Sequence, residues 1–206
     1  TTHVEDVHAF DGRRGHYTTR STLAALTALQ VLKAHARKGD RILIHAGSGG
    51  VGHFAIQMAK GIGAHVISTS SARNRDFVMA IGADEHVDYH KQKFEEVVSD
   101  IDFVLDAMGG EVLEKSLKVV KDGGKIVSLP KHQYTEALHS EADKRNVELV
   151  LVLVKSSGED MNTLKGMLET GELTPHVSKI FPFENMADAH CQIESGRTVG
   201  KIIVAL

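Results

Sequence analysis

Three glycines, Gly47, Gly49 and Gly52, stand at G-x-G-x-x-G spacing between a short apolar run, Ile42, Leu43 and Ile44, and a helical repeat of Val51, Ala55, Met58 and Ile62. The first glycine allows a tight turn out of a strand, the second lets backbone approach a pyrophosphate, and the third lets a helix pack closely on the strand. The helix that follows turns free N–H groups and the positive end of its dipole toward the same phosphates. A glycine-rich turn that binds nothing is the alternative. The strand before the loop and the amphipathic helix after it argue for a dinucleotide site.

The rest of the chain repeats the strand–helix alternation. Residues 1–20 are polar and read as a loop or tail, followed by a helix over 21–36 that Lys38-Gly39-Asp40 ends as a capping turn. Strands are predicted over 41–46, 64–69, 85–88, 101–106 and 124–129, separated by helices over 51–62, 73–81, 93–98 and 110–119. Apolar strands separated by helices imply a parallel sheet covered on both faces, the doubly wound α/β (Rossmann) class. Beyond Pro130 the pattern predicts a helix over 134–143, a strand over 147–154, a helix over 160–170 stopped by Gly171, a strand over 177–181, a helix over 184–194 and a strand over 200–205. The 147–154 run is almost wholly apolar, whereas an edge strand facing water carries charge or proline. It is therefore expected to be covered or paired, and pairing with a second copy would make a homodimer.

Composition removes several partners. A net charge of −3 offers no basic stripe for nucleic acid. Cys191 is the single cysteine, which rules out a disulfide framework within the chain and a cysteine-rich zinc site and suggests a reducing, cytoplasmic setting. The longest apolar run, 149–154, is far too short to span a bilayer, and no charged-then-apolar leader opens the sequence. Thirteen histidines raise the question of a metal, but they are scattered and contain no H-E-x-x-H, so surface or locally bonded roles are expected. A first residue of Thr1 points to processing, tagging or excision.

In NAD-preferring sites an Asp or Glu ends the second strand and binds the ribose hydroxyls. Here that strand ends in Ser70 and Ser71, and Arg73 and Arg75 follow. Hydroxyls with a nearby guanidinium suit a 2'-phosphate through charge-assisted hydrogen bonds, so NADP(H) is the expected cofactor. One of the two arginines is expected to be only a solvated first-turn residue.

Further motifs follow in order: Leu26-Thr-Ala-Leu-Gln-Val-Leu32, Ala46-Gly-Ser-Gly-Gly-Val-Gly-His-Phe-Ala-Ile-Gln-Met-Ala59, Ile81-Gly-Ala-Asp84, Val87-Asp-Tyr89, Asp106-Ala-Met-Gly-Gly110, Asp122-Gly-Gly-Lys-Ile-Val127 and Gly200-Lys-Ile-Ile-Val204. Together they resemble the zinc-independent quinone oxidoreductase branch of the medium-chain dehydrogenase/reductase superfamily. The resemblance implies that Ser48, Gly49, Gly50 and Val51 hold the pyrophosphate, and that Ser70, Ser71, Arg73 and Tyr89 face the adenosine phosphate. Asn74 stands where some relatives carry a phosphate-binding lysine. Thr27, Ala107, Met108, Leu129 and Pro130 match positions near the nicotinamide.

The resemblance also implies a preceding GroES-like catalytic domain, of which this sequence would retain little. It assigns 1–20 to a tail or remnant of that domain, 21–173 to an NADP-binding Rossmann domain, and 174–206, with Phe181-Pro-Phe-Glu-Asn-Met-Ala-Asp-Ala-His190, to a segment returning toward the catalytic domain. The implied reaction passes a hydride from NADPH to a quinone or to an activated C=C or C=O bond of a small molecule, without zinc. Ser21 and Thr22 lie near where zinc-dependent relatives place a cysteine ligand. Tyr17, His45 and Asp106 are candidate general acids, each with a plainer reading as a loop, strand-end or packing residue. A non-catalytic NADPH-binding module is the alternative reading, and a scaffold that keeps only the fold is a third.

Overall fold

The computed structural model describes residues 7–10, 22–129 and 134–205. Its strands are β1 (Val7–Phe10), β2 (Arg41–Ile44), β3 (His65–Ser70), β4 (Glu85–Asp88), β5 (Ile101–Asp106), β6 (Val120–Ser128), β7 (Glu148–Leu151), β8 (Val177–Pro182) and β9 (Lys201–Ala205). Between them run helices α1 (Thr22–His35), α2 (Gly52–Ile62), α3 (Arg75–Ala80), α4 (Phe94–Val97), α5 (Gly110–Ser116), α6 (Glu136–Lys144), α7 (Gly158–Thr170) and α8 (Met186–Glu194).

Six strands form one parallel sheet in the order β4-β3-β2-β5-β6-β7. This is the doubly wound order, in which the chain reverses its direction of travel between β2 and β5 and opens a crevice at their carboxyl ends. Alternate residues of each strand point to opposite faces. Ile42, Ile44, Val66, Phe103, Leu105 and Val127 pack with α1, α2 and α7 in one core. Leu43, Ile67, Val104 and Ile126 pack on the other face with Leu113, Leu117, Leu138 and Ala142 of α5 and α6. Because both faces are buried, the strands read as continuous apolar runs rather than alternating ones.

β1 and the last part of the chain build a separate three-stranded sheet, β1-β9-β8, with parallel pairing throughout. Phe181, Ile202 and Val204 pack there against Ala189 of α8. β1 falls within the stretch expected to be a tail, and it pairs with β9 from Val7↔Ile202 to Phe10↔Ala205.

Several predicted bounds move for local reasons. The 147–154 strand is only Glu148–Leu151, and Val152 and Val154 turn back onto the α1 side of the core. Gln30 of α1 takes both backbone groups of Lys155, donating Nε2–H to its carbonyl at 2.7 Å and accepting its N–H at 3.0 Å, which ends the extension. The helix read over 73–81 opens as a separate 3-10 turn over Ala72–Asn74. β6 begins at Val120, earlier than predicted, through an irregularity in its pairing with β5 between Ile101 and Phe103. Helix α2 ends at Gly63 in the left-handed region (φ 88°), whose N–H reaches the Ala59 and Lys60 carbonyls.

Candidate dinucleotide cleft

At the carboxyl ends of β2, β3 and β4 lies a cleft of about 390 Å³. The glycine loop forms one wall. Ala46 leaves β2 with a left-handed φ of 52°, its N–H held by Thr69 Oγ1 at 3.3 Å, and Gly47 N–H donates to the Thr69 carbonyl at 3.0 Å. Gly49 N–H closes the turn onto the Ala46 carbonyl at 2.8 Å. The glycines are required by what they touch: a Cβ on Gly52 would overlap the Ala46 carbonyl oxygen and lie 2.7 Å from Gly47 Cα. A Cβ on Gly47 would overlap the hydroxyl of Ser68, a buried side chain of β3. Among the described residues no side chain caps α2; His53, Phe54 and Ala55 N–H groups already reach the Gly49 and Val51 carbonyls, so the N–H groups that suit an anion are those of Gly50, Val51 and Gly52 at the loop.

Two buried histidines brace this wall. Ser116 donates its hydroxyl proton to the Val112 carbonyl at 2.7 Å, so it accepts from His45 Nε2–H at 3.0 Å. His45 Nδ1 is then an acceptor, and Thr69 Oγ1–H donates to it at 3.1 Å while Thr69 holds the Ala46 N–H. Burial lowers the His45 pKa to about 4, against a smaller opposing pull from Asp106. His53 donates Nδ1–H to the Gly49 carbonyl at 2.8 Å and accepts His176 N–H on Nε2 at 3.4 Å. Burial lowers its pKa to about 4 as well. Both rings are therefore neutral struts at neutral pH.

The rest of the lining carries charge. Arg73, Lys93, Lys115 and Arg197 line the cleft against one acid, Glu95. Lys93 pairs with Glu96 at 2.9 Å, and Lys115 lies 3.3 Å from Glu111 and 3.8 Å from Glu95. Arg75 instead meets Asp76 at 3.6 Å on the first turn of α3, so of these two arginines Arg73 is the one at the cleft. Asn74 donates Nδ2–H to Ser48 Oγ at 2.9 Å and ties the turn that carries Arg73 to the glycine loop.

Of the residues singled out from the sequence, Ser48, Gly49, Ser70, Ser71, Arg73, Tyr89 and Met108 come together around the cleft. Gly47 and Gly52 lie beneath it as packing requirements, and Gly50 and Val51 sit at the mouth of α2. Thr27, Ala107 and Leu129 do not line it. Thr27 donates Oγ1–H to the Leu23 carbonyl at 2.7 Å within α1, and Leu129 packs against the α1-side core. Pro130, Tyr17 and Ser21 fall outside the described residues. His45 and Asp106 are both committed internally; Asp106 accepts the Met108 and Gly109 N–H groups and the Ser128 hydroxyl at 2.8–3.1 Å.

Lys93, Lys115, Arg197 and Thr198 were not foreseen. Arg197 and Thr198 arrive from the loop after α8, which reaches the cleft because Gly200 N–H donates to the Ser48 carbonyl at 2.8 Å. The sequence signal was the Gly196-to-Gly200 turn before β9, where both glycines have positive φ. Among the described residues no three His, Cys, Asp or Glu side chains converge as metal ligands, and no helix is long and apolar enough to cross a membrane.

Comparison with known proteins points one way. The family described as "Zinc-binding dehydrogenase" matches residues 81–204. A 2-methylene-furan-3-one reductase of Solanum lycopersicum is 35% identical over 88% of this chain and 45% of its own length. An NADPH-dependent alkenal/one oxidoreductase, chloroplastic, of Arabidopsis thaliana is 34% identical over 81% of this chain and 40% of its own. The solved structure of a quinone oxidoreductase from Coxiella burnetii superposes with a TM-score of 0.83 at 35% identity, covering 89% of this chain and 58% of that one. The chain thus spans about half the length of the curated relatives it matches.

Proposed function

Because the chain belongs to the zinc-binding dehydrogenase family, within the medium-chain dehydrogenase/reductase superfamily, we propose that it is the cofactor-holding part of an NADPH-dependent oxidoreductase acting on a small quinone or an activated C=C or C=O compound. The observation that carries this reading is the cleft at the reversal point of the sheet, lined by the glycine loop together with Arg73, Lys93, Lys115 and Arg197. Its donor set fits a dinucleotide: α2 offers N–H groups to the pyrophosphate, and serine hydroxyls with Arg73 suit a 2'-phosphate. NADPH, when bound, supplies the hydride, and the protein orients it.

We read 21–173 as the cofactor domain, 174–206 as the segment that returns toward a catalytic domain, and 1–20 as that domain's remnant. A direct, zinc-independent transfer is supported by the internal use of His45 and His53 in hydrogen bonds. A cytoplasmic setting is supported by the single free cysteine, Cys191, although one relative is named chloroplastic. A second reading, binding without turnover by this chain alone, is favoured by one observation: Thr27, Ala107 and Leu129 stand outside the cleft, which leaves the nicotinamide end without the walls that hold the adenosine end.

Fluorescence titration tests the cofactor assignment. Arg73→Ala is expected to weaken NADPH about tenfold and to leave NADH unchanged, the loss of one exposed charge-assisted contact. Tighter binding of NADH than NADPH by the unaltered chain would overturn it. Turnover of quinones or enones with NADPH separates the two readings.

We also propose a homodimer through β7. Leu151, the last residue of β7, and Leu153, two residues beyond it, are 52% and 69% exposed, and a second copy would cover this edge by strand pairing. Light scattering is expected to show a dimer, and Leu151→Lys a monomer that still binds NADPH. A monomeric unaltered chain would refute the pairing.

A further inference from the structure

Ser70 ends β3 at the cleft, and its hydroxyl is buried between two neighbours of different chemistry. Its Oγ lies 3.3 Å from the Ser71 carbonyl oxygen and 2.9 Å from Nε2 of His86 on the adjacent strand β4. The carbonyl can only accept, so when the Ser70 proton is placed on it, His86 Nε2–H is the donor to Ser70 Oγ. In that arrangement donation runs from His86 Nε2–H to Ser70 Oγ–H to the Ser71 carbonyl. The second step is long, so the Ser70 proton is weakly held.

The direction of this chain decides what Ser70 can recognise. With Nε2 bare, Ser70 would give its proton to the ring and show the cleft only lone pairs. A ribose 2'-hydroxyl could donate into those lone pairs, but a 2'-phosphate, an acceptor at every oxygen, could not. With Nε2–H in place, the ring fills one lone pair of Ser70 and leaves its proton free to leave the Ser71 carbonyl for a better acceptor. A phosphate oxygen is such an acceptor, because hydrogen bonds to charged groups are the stronger ones.

We propose that His86 is a specificity-determining positioning residue: by donating Nε2–H to Ser70 it turns the Ser70 hydroxyl into a donor for the 2'-phosphate of NADPH. This rests on the preceding reading that the 2'-phosphate sits beside Ser70 and Arg73. His86 does not line the cleft and acts only through Ser70. Asp88, the register partner of Ser70, is turned to the His90 N–H at 3.2 Å and leaves the serine to the histidine.

The test measures NADPH and NADH dissociation constants by titration on the full chain carrying His86→Phe, His86→Gln, Ser70→Ala, and Ser70→Ala with His86→Phe. His86→Phe is expected to weaken NADPH about tenfold while NADH stays within about twofold, the loss of one hydrogen bond to a charged group. His86→Gln, whose amide can donate at the same place, is expected to restore most of the preference, and it serves as the folded variant if the Phe variant is unstable. In the Ser70→Ala background His86→Phe is expected to add nothing, since the two residues act as one unit. Nitrogen NMR of the free protein is expected to find His86 protonated at Nε2. Equal weakening of both cofactors, additive effects in the double variant, or a bare Nε2 would each overturn the proposal. An unaltered chain without NADPH preference would overturn this proposal and the cofactor reading together; a retained preference that His86→Phe leaves unmoved would overturn the role of His86 alone.

Discussion

Gly52→Ala is expected to abolish measurable NADPH binding and to lower the unfolding free energy by about 3 kcal/mol, the upper part of the range for overpacking. The obstruction is backbone on both sides: the new methyl would overlap the Ala46 carbonyl and press within 2.7 Å of Gly47 Cα, so no side-chain rotation can relieve it. Relief has to come from moving the start of α2 off β2, which displaces the loop N–H groups that we propose hold the pyrophosphate. Gly49→Ala makes an ordered comparison, because its nearest contact is the Ala46 carbonyl at 3.1 Å and a small shift accommodates it. Gly61→Ala is the opposite case. It lies inside α2 with nothing within 4 Å of the added carbon, and it is expected to stabilise by about 0.5–1 kcal/mol through helix propensity. Denaturant unfolding with NADPH titration of the three variants checks the series. A Gly52→Ala chain that binds NADPH normally would show that the loop tolerates a shape the packing forbids.

Acidification from pH 7 to pH 5 is expected to remove about 2 kcal/mol of stability for each of His45 and His53. Each ring takes its proton near pH 4 in the folded protein and near 6.5 when unfolded. Between those values the unfolded chain binds more protons than the folded one, so stability falls as pH falls; above about 6.5 the contribution is complete. His35 and His86, whose pKa values burial also lowers, act in the same direction. The structural cause for His45 is specific: Nδ1 must stay bare to receive the Thr69 proton, and a second ring proton would break the link that holds Ala46 N–H at the loop. His45→Gln is expected to lower stability at pH 7 and to reduce the slope between pH 7 and pH 5. Urea midpoints measured across that interval decide it, and a flat profile would refute the buried neutral assignment.

Much of the fold was legible because its signals are local. The apolar runs at 42–44 and 101–106 are buried on both faces, so their hydrophobicity needed no partner to interpret. The spacing of Val51, Ala55, Met58 and Ile62 marks the helix that covers them. The 147–154 run misled because hydrophobicity does not say whether backbone pairs with backbone. Val152 and Val154 are apolar for the core under α1, and the amide of Gln30, 125 residues away, takes the hydrogen bonds a longer strand would have used.

The cleft divides in the same way. Ser48, Ser70, Ser71 and Arg73 follow strands that end at one edge of the sheet, and strand order alone brings them together. The roles of His45 and His86 were invisible because each depends on a partner from another element: Thr69 and Ser116 for one, Ser70 for the other. Arg197 lies 149 positions after Ser48, and only the Gly200-to-Ser48 hydrogen bond places it at the site.

By itself the sequence determined a doubly wound sheet, a glycine-rich turn from strand to helix and a second strand that ends in hydroxyls rather than an acid, since each is set by residues adjacent along the chain. Tertiary structure alone decided which side chains face the cleft, which histidines burial keeps neutral and which polar groups each hydroxyl meets. Those properties depend on burial and on hydrogen-bond partners contributed by strands and loops far apart in sequence, and they exist only once the sheet has closed around them.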